Sequence, residues 1–154
     1  MRQISAYGVT VDVPAAWECR ILRRAATGAK ETHAVVHLAN FPLPEQRDDF
    51  GTNLTSTMGA RDVFVVLFDY GPGAANQPLF RAQGRPTLRL ADFNSRTMQR
   101  PLPGQFGCQR FFTENGRGFC LYVVAGGRAA LPAATTDVNA SVRAMAIAHA
   151  EPAS

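Results

Sequence analysis

Two histidines lie four residues apart in this chain, a spacing that can bind a metal ion when it falls on one face of a helix. His33 and His37 flank Val35 and Val36, and β-branched residues favour a strand. On a strand the two imidazoles share a face but lie about 13 Å apart, too far to hold one ion. His149 is isolated, and the chain has no Cys-x-x-Cys or His-Glu-x-x-His motif. The sequence therefore predicts no metal site and no cofactor.

A nucleophilic mechanism would need an activated side chain, and Cys108 is a candidate for it. Cys108 ends the segment Gly104–Cys108, whose glycines could expose backbone amides to an oxyanion. No residue nearby is a candidate general base, so the sequence predicts no catalytic residue and no enzymatic activity. The cysteine count is odd, at 3, which argues against a disulfide framework. We expect Cys19, Cys108 and Cys120 to be small buried hydrophobes.

Arginine supplies most of the positive charge, and its distribution is uneven. The net charge is +4, yet the segment 81–128 alone carries eight arginines and two acids, a local balance of +6. Guanidinium groups suit carboxylate and phosphate partners, although codon bias explains such a composition better than selection for such contacts does. Because the chain has no RNA- or DNA-binding motif, the sequence favours an acidic protein surface over nucleic acid as the partner. The candidate partner-binding or anion-binding residues are Arg81, Arg85, Arg89, Arg96, Arg100 and Arg110.

The sequence predicts several strands that would position these residues. Residues 7–13 alternate between apolar and polar side chains and run into Pro14, which predicts a β-hairpin whose return strand is Trp17–Leu22. A third strand is predicted over Thr32–Ala39. The run Val63–Phe68 has no alternation, which predicts a central strand covered on both faces. A half-exposed strand is predicted over Arg85–Phe93.

The second half of the chain contains the clearest hairpin and a predicted closing helix. Two aromatic-rich runs, Gln105–Phe112 and Phe119–Val124, flank the turn residues Asn115 and Gly116. Apolar residues at helical spacing predict a helix from about residue 132 to 143, followed by a last strand at 145–148. A short helix is also predicted between Asp48 or Asp49, which can cap it, and Gly59, with Phe50, Leu54 and Met58 at helical spacing.

The opening segment Gly8–Trp17, the central apolar strand, the aromatic hairpin and the closing helix together resemble PsbP-like domains. The resemblance covers most of the chain and implies a three-layer αβα sandwich with a mostly antiparallel sheet. It groups the chain with photosystem accessory proteins, a Ran-binding nuclear-transport factor, bacterial lipoproteins and secretion chaperones. It implies an accessory or binding domain without enzymatic activity, and it transfers no binding residue to this chain.

The length of 154 residues fits one domain of the α+β type, predicted over residues 1–150 with a frayed tail at 151–154. The longest apolar run is far too short to cross a membrane, and we expect a cytoplasmic protein. The sequence favours a protein-binding adaptor, chaperone or assembly factor. The alternative is a small-molecule-binding or enzymatic domain with a pocket near the loop 94–104.

Overall fold

The computed structural model describes residues 2–25, 32–45, 52–94 and 104–149. Within these ranges the chain forms two antiparallel sheets and has a low helix content, so it is an α+β protein. The strands are β1 (Arg2–Ala6), β2 (Val9–Val13), β3 (Glu18–Ala25), β4 (Thr32–Ala39), β5 (Val63–Gly71), β6 (Phe106–Glu114), β7 (Arg117–Ala125) and β8 (Ala146–Ile147). The α-helices are α1 (Thr52–Thr55) and α2 (Val138–Ala144).

Strand β5 lies at the centre of a five-stranded sheet whose order is β3-β4-β5-β7-β6. Its residues from Val63 to Asp69 are all buried. An unbroken apolar run suits this position because both faces of the sheet are covered. The predicted central strand is therefore confirmed, and so is the predicted third strand, which is β4.

The two faces of the five-stranded sheet bury separate apolar clusters. The first face presents Val36 and Val65 to the three-stranded sheet β1-β2-β8 and to α2. The second face presents Phe64 and Val66 to the segment between β4 and β5, from which Leu54 of α1 packs against the sheet. Side chains alternate along each strand, so one strand contributes to both clusters.

The N-terminal hairpin is present, but the sequence predicts the wrong partner strand for β2. Instead of pairing with Trp17–Leu22, β2 pairs with β1 through the two-residue turn Tyr7-Gly8. Both turn residues have positive φ, 50° and 85°, which gives the twist that such hairpins need. The chain then turns at Pro14, whose carbonyl accepts the N–H of Trp17 at 3.1 Å, and β3 enters the other sheet.

The aromatic hairpin and the last strand are confirmed. Strands β6 and β7 pair around Asn115 and Gly116, whose φ values are 52° and 78°. Phe111 lies opposite Cys120, so Cys108 is three residues further along the ladder, opposite Val123. All three cysteines are free and buried. Strand β8 completes the smaller sheet by pairing with β2.

The predicted strand Arg85–Phe93 is wrong, because side chains satisfy the backbone groups that a neighbouring strand would otherwise bind. The side chain of Asn139 accepts the N–H of Leu88 and donates to its carbonyl, both at 2.8 Å. The carboxylate of Asp92 accepts the N–H of Arg89 at 2.9 Å. These bonds fold the segment into an irregular path that ends in a 3₁₀ turn, Leu90–Asp92.

Within the described residues, the regular α-helices cover less of the chain than the sequence predicts. A helix is predicted between residues 48 and 59, of which residues 48–51 lie outside the described ranges. Within the described ranges, α1 (Thr52–Thr55) is the helical part of this segment. Residues 131–144 are helical throughout, a range that includes the predicted segment 132–143, but the regular α-helix α2 begins at Val138, after a π-helical turn, Ala133–Asp137. The tail 151–154 lies outside the described residues. No helix in the described part is long and apolar enough to span a membrane.

Candidate functional site

The cysteines have no environment that would activate them. Cys19, Cys108 and Cys120 are each at most 1% exposed. Burial is the largest effect on each thiol, and it raises the pKa of Cys19, Cys108 and Cys120 to about 11. Nearby arginines act in the opposite direction at Cys19 and Cys108 without offsetting the desolvation. Because the thiolate is the nucleophile, these groups are chemically quiet near neutral pH.

We expect none of the three cysteines to react with iodoacetamide in the folded protein at pH 7. A pKa of about 11 leaves roughly one thiolate in ten thousand thiols at that pH, and burial blocks access to it. Mass spectrometry after alkylation, with and without denaturant, is the measurement. All three cysteines should be modified in denaturant and none without it. Rapid labelling of Cys108 alone in the folded protein would restore it as a candidate nucleophile.

The two closely spaced histidines lie on β4 and do not converge. His37 is fully buried on the second face, where its ring meets the edge of Phe64 with centroids 5.2 Å apart. His33 is half-buried four residues earlier on the same strand, about 13 Å away by strand geometry. Across the described ranges, no group of three or more histidine, cysteine or acidic side chains is arranged to hold a metal ion.

Arg85 belongs to an internal network rather than to a free surface. Its guanidinium contacts both carboxylate oxygens of Glu114, with Nε 2.9 Å from each and Nη2 2.9 Å from Oε2. Its Nη1 donates to the carbonyls of Val142 at 2.8 Å and Arg143 at 3.2 Å, and also to that of Met145. These carbonyls belong to the C-terminal end of α2, where a positive charge is favourable.

The remaining candidate arginines are divided between ion pairing and exposure. Arg110 binds Asp92, with Nη2 2.7 Å from the carboxylate. Arg81 and Arg89 are exposed. Arg96 and Arg100 lie outside the described residues. Of the four described arginines among the six, Arg81 and Arg89 are therefore the ones that present their side chains mainly to solvent.

A cluster of four aromatic rings lies at one end of the second face, and no local pattern in the sequence predicts it. The rings form a chain of contacts, with centroids 4.5 Å apart for the first pair, 5.4 Å for the second and 5.5 Å for the third. In order they are Phe68, Tyr70, Phe80 and Phe111, which we call the aromatic cluster. Such edge and tilted contacts are favourable beyond simple burial.

Hydrogen bonds and close packing hold the aromatic cluster in place. The buried hydroxyl of Thr113 donates to the carbonyl of Phe80 at 2.6 Å and accepts the N–H of Asn76 at 2.9 Å. A Cβ on Gly118 would lie 2.7 Å from Ala74 and 3.0 Å from the ring of Phe80, so only glycine permits this approach. A glycine inside an otherwise apolar strand signals a close contact, and Gly118 is the sequence feature from which this packing could have been inferred.

Comparison with known proteins gives no relative from which a role could be transferred. No family model, curated protein or solved structure matches this chain. In the described part of the chain, the aromatic cluster combines defined geometry with access to solvent, because Tyr70 and Phe111 are half-buried and Leu79, which precedes Phe80 in the chain, is 60% exposed.

Proposed function

We propose that this protein is a non-catalytic adaptor, chaperone or assembly factor that binds another protein through the aromatic cluster. The carrying observation is that Tyr70 and Phe111 of this cluster are half-buried and that Leu79, which precedes Phe80 in the chain, is 60% exposed. Aromatic side chains are enriched in interface cores because they bury a large area at low entropic cost. The hydrogen bonds of Thr113 hold the segment that carries Phe80, so the surface is organised before a partner arrives.

The partner that fits this surface is an apolar protein segment flanked by acidic residues. Arg81 is exposed and follows Phe80 directly, so a cation stands at the rim of the apolar surface. The chain as a whole has a net charge of +4, which attracts an acidic partner at long range. A rim charge of this kind affects association rate and salt dependence more than it affects the final affinity.

The PsbP-like assignment belongs to the same proposal, together with the three-layer αβα arrangement and a cytoplasmic location. It is supported by the antiparallel five-stranded sheet with apolar clusters on both faces. An accessory domain of this kind acts by presenting a surface. The aromatic cluster supplies that surface in this chain.

We expect a photo-crosslinking side chain at position 79 to capture one protein from lysate of the host at low salt. The matched control carries the same group at Ala129, which is exposed beyond the opposite end of β7. The captured partner should bind Leu79→Asp about 30-fold more weakly, because an aspartate would desolvate its charge against apolar surface. Its affinity for Arg81→Ala should lose most of its salt dependence.

Two outcomes would contradict the proposal. The first is a protein that crosslinks equally at positions 79 and 129. The second is a partner that binds Leu79→Asp as tightly as it binds the unaltered chain. Since Leu79 is 60% exposed, circular dichroism and a thermal melt should show that Leu79→Asp folds normally.

A small-molecule site at the end of the loop 94–104 is the second candidate function, and one observation favours it. Gln105 follows this loop and is buried, and its Nε2 donates to the carbonyl of Thr55 at 2.7 Å. Its Oε1 is buried and has no hydrogen-bond partner among the described residues, which is costly unless a donor satisfies it. A ligand with an N–H or O–H group would supply that donor. Residues 95–103 lie outside the described part of the chain.

A further inference from the structure

Strand β2 loses its neighbour before it ends, and Asp12 lies at that point. Thr10 pairs with Ala146 of the antiparallel strand β8, so the residue opposite Asp12 in the same register would be Ala144. Ala144 is the last residue of α2, and its helical backbone offers no strand edge to Asp12. The smaller sheet therefore stops beside Asp12 on this side.

The backbone groups of Asp12 point away from β1 and have no partner strand. The carbonyl of Gly8 accepts the N–H of Ala148 at 2.8 Å, so Gly8 directs its backbone groups away from β1 as well. Residues of an antiparallel strand alternate in this respect, so Thr10 and then Asp12 do the same. Among the described residues, no backbone hydrogen bond joins the N–H or the carbonyl of Asp12 to α2. Both groups are therefore available to a ligand.

A pocket of about 220 Å³ lies at this position, between the end of β2 and α2. The residues that line it are Asp12, Pro14, Asp137, Ala140, Ser141 and Ala144. Sites for drug-sized ligands have volumes of roughly 300–1,000 Å³, so this smaller pocket suits a molecule or side chain of only a few heavy atoms.

Three polar side chains of the pocket are unused by the described protein. Neither Asp12 nor Asp137 forms an ion pair within the described residues, and the carboxylate of Asp137 does not cap α2. Ser141 is only 4% exposed, and its hydroxyl makes no hydrogen bond within the described residues. A buried hydroxyl without a partner is costly, so this pocket favours a ligand that supplies hydrogen bonds.

We propose that this pocket binds a primary alkylammonium group. An ammonium has three N–H donors and no acceptor, and the two carboxylates, the carbonyl of Asp12 and the hydroxyl of Ser141 are all acceptors. The side chains of Pro14, Ala140 and Ala144 are apolar, so they suit a short alkyl stem rather than a hydrated metal ion. The group belongs either to a small free amine or to a lysine side chain of another protein. The pocket shares no residue with the aromatic cluster, so either proposal can fail alone.

The test is an NMR titration of the amides of Asp12 and Ser141 with n-butylammonium chloride at neutral pH and constant ionic strength. n-Butanol is the neutral control of the same length. Asp12→Asn and Asp137→Asn should each weaken butylammonium binding about tenfold, because each removes one charge and keeps the shape of the side chain. The matched control is Asp62→Asn, which removes the same charge outside the pocket. Asparagine keeps an oxygen that can accept the N–H of Gly59, as Asp62 does.

Saturable shifts with butylammonium that weaken in Asp12→Asn and Asp137→Asn and persist in Asp62→Asn would support the site. Tighter binding of the acetylated and amidated peptide Ala-Lys-Ala than of butylammonium would identify a lysine side chain as the source, and equal or weaker binding would identify a small free amine. The proposal is overturned if butylammonium causes no saturable shift, if butanol binds equally well, or if all three variants bind alike. The amide spectrum shows whether each variant folds. Ser141→Ala, which should bind about threefold more weakly, tests the site if an aspartate variant does not fold.

Discussion

Replacement of Gly126 by alanine should lower the free energy of unfolding by about 4 kcal/mol, because the added methyl group would overlap a backbone carbonyl. A Cβ at Gly126 would lie 1.9 Å from the carbonyl oxygen of Gly59 and 3.3 Å from that of Asp62. The N–H of Gly126 donates to the carbonyl of Asp62 at 2.8 Å, so the turn 59–62 rests directly on the end of β7. Relief of the overlap would require this turn to move away from the central sheet.

The measurement is urea denaturation of Gly126→Ala beside Gly73→Ala. A Cβ at Gly73 meets no atom within 4 Å, and Gly73 does not have positive φ. That control should therefore retain normal stability within about 1 kcal/mol. A domain of this size has only about 5–15 kcal/mol of stability in total, so a loss of about 4 kcal/mol should be evident in the midpoint. Equal midpoints for the two variants would mean that the turn and the strand end are not packed together as described.

The parts of the fold that the sequence predicts correctly are those fixed by local pattern. The central strand follows from the unbroken apolar run Val63–Phe68, because such a run needs cover on both faces. The hairpin of β6 and β7 follows from Asn115 and Gly116, which tolerate positive φ at both turn positions. In each case the residues that determine the element lie within the element itself.

The predictions that are wrong concern elements whose partners are distant in sequence or of an unexpected residue type. Tyr7 is not a typical residue for a two-residue turn, so the pairing of β1 with β2 has no turn signal beyond Gly8. The segment Arg85–Phe93 alternates like a strand, but Asn139 binds the backbone of Leu88 from about fifty positions away in the chain. A local pattern cannot show that a remote side chain will supply those hydrogen bonds.

At the candidate site too, the sequence shows which residue types are present, whereas the fold decides what surrounds each of them. The sequence identifies arginines suited to acidic partners, yet Glu114 decides that Arg85 is internal, while Arg81 has no such carboxylate among the described residues and stays exposed. The aromatic cluster joins Phe68 to Phe111 through the fold, and neither residue is distinctive alone. Composition therefore predicts which chemistry is available, and tertiary structure selects the residues that present it to solvent.

Arg85→Ala should lower the free energy of unfolding by about 3 kcal/mol, equivalent to a fall of roughly 8 °C in Tm for a domain of this size. Glu114 would lose its cation while 16% exposed, and the carbonyls of Val142 and Arg143 at the end of α2 would lose their donor. Removal of one member of a mostly buried pair leaves an uncompensated charge, which costs more than the pair contributes. A differential scanning experiment with Glu114→Gln as the second variant measures this effect.

Arg81→Ala is the matched control, because Arg81 is exposed and its side chain makes no ion pair within the described residues. Its Tm should change by less than about 2 °C, while its binding to the captured partner loses salt dependence. The double variant Arg85→Ala/Glu114→Gln should recover part of the stability lost in Arg85→Ala, because the unpaired carboxylate is then removed. If Arg85→Ala instead kept full stability and weakened partner binding, Arg85 would belong to the binding surface and the internal network would not be important for folding. Arg85 is thus expected to act on stability and Arg81 on partner binding, although the sequence alone gives no reason to distinguish them.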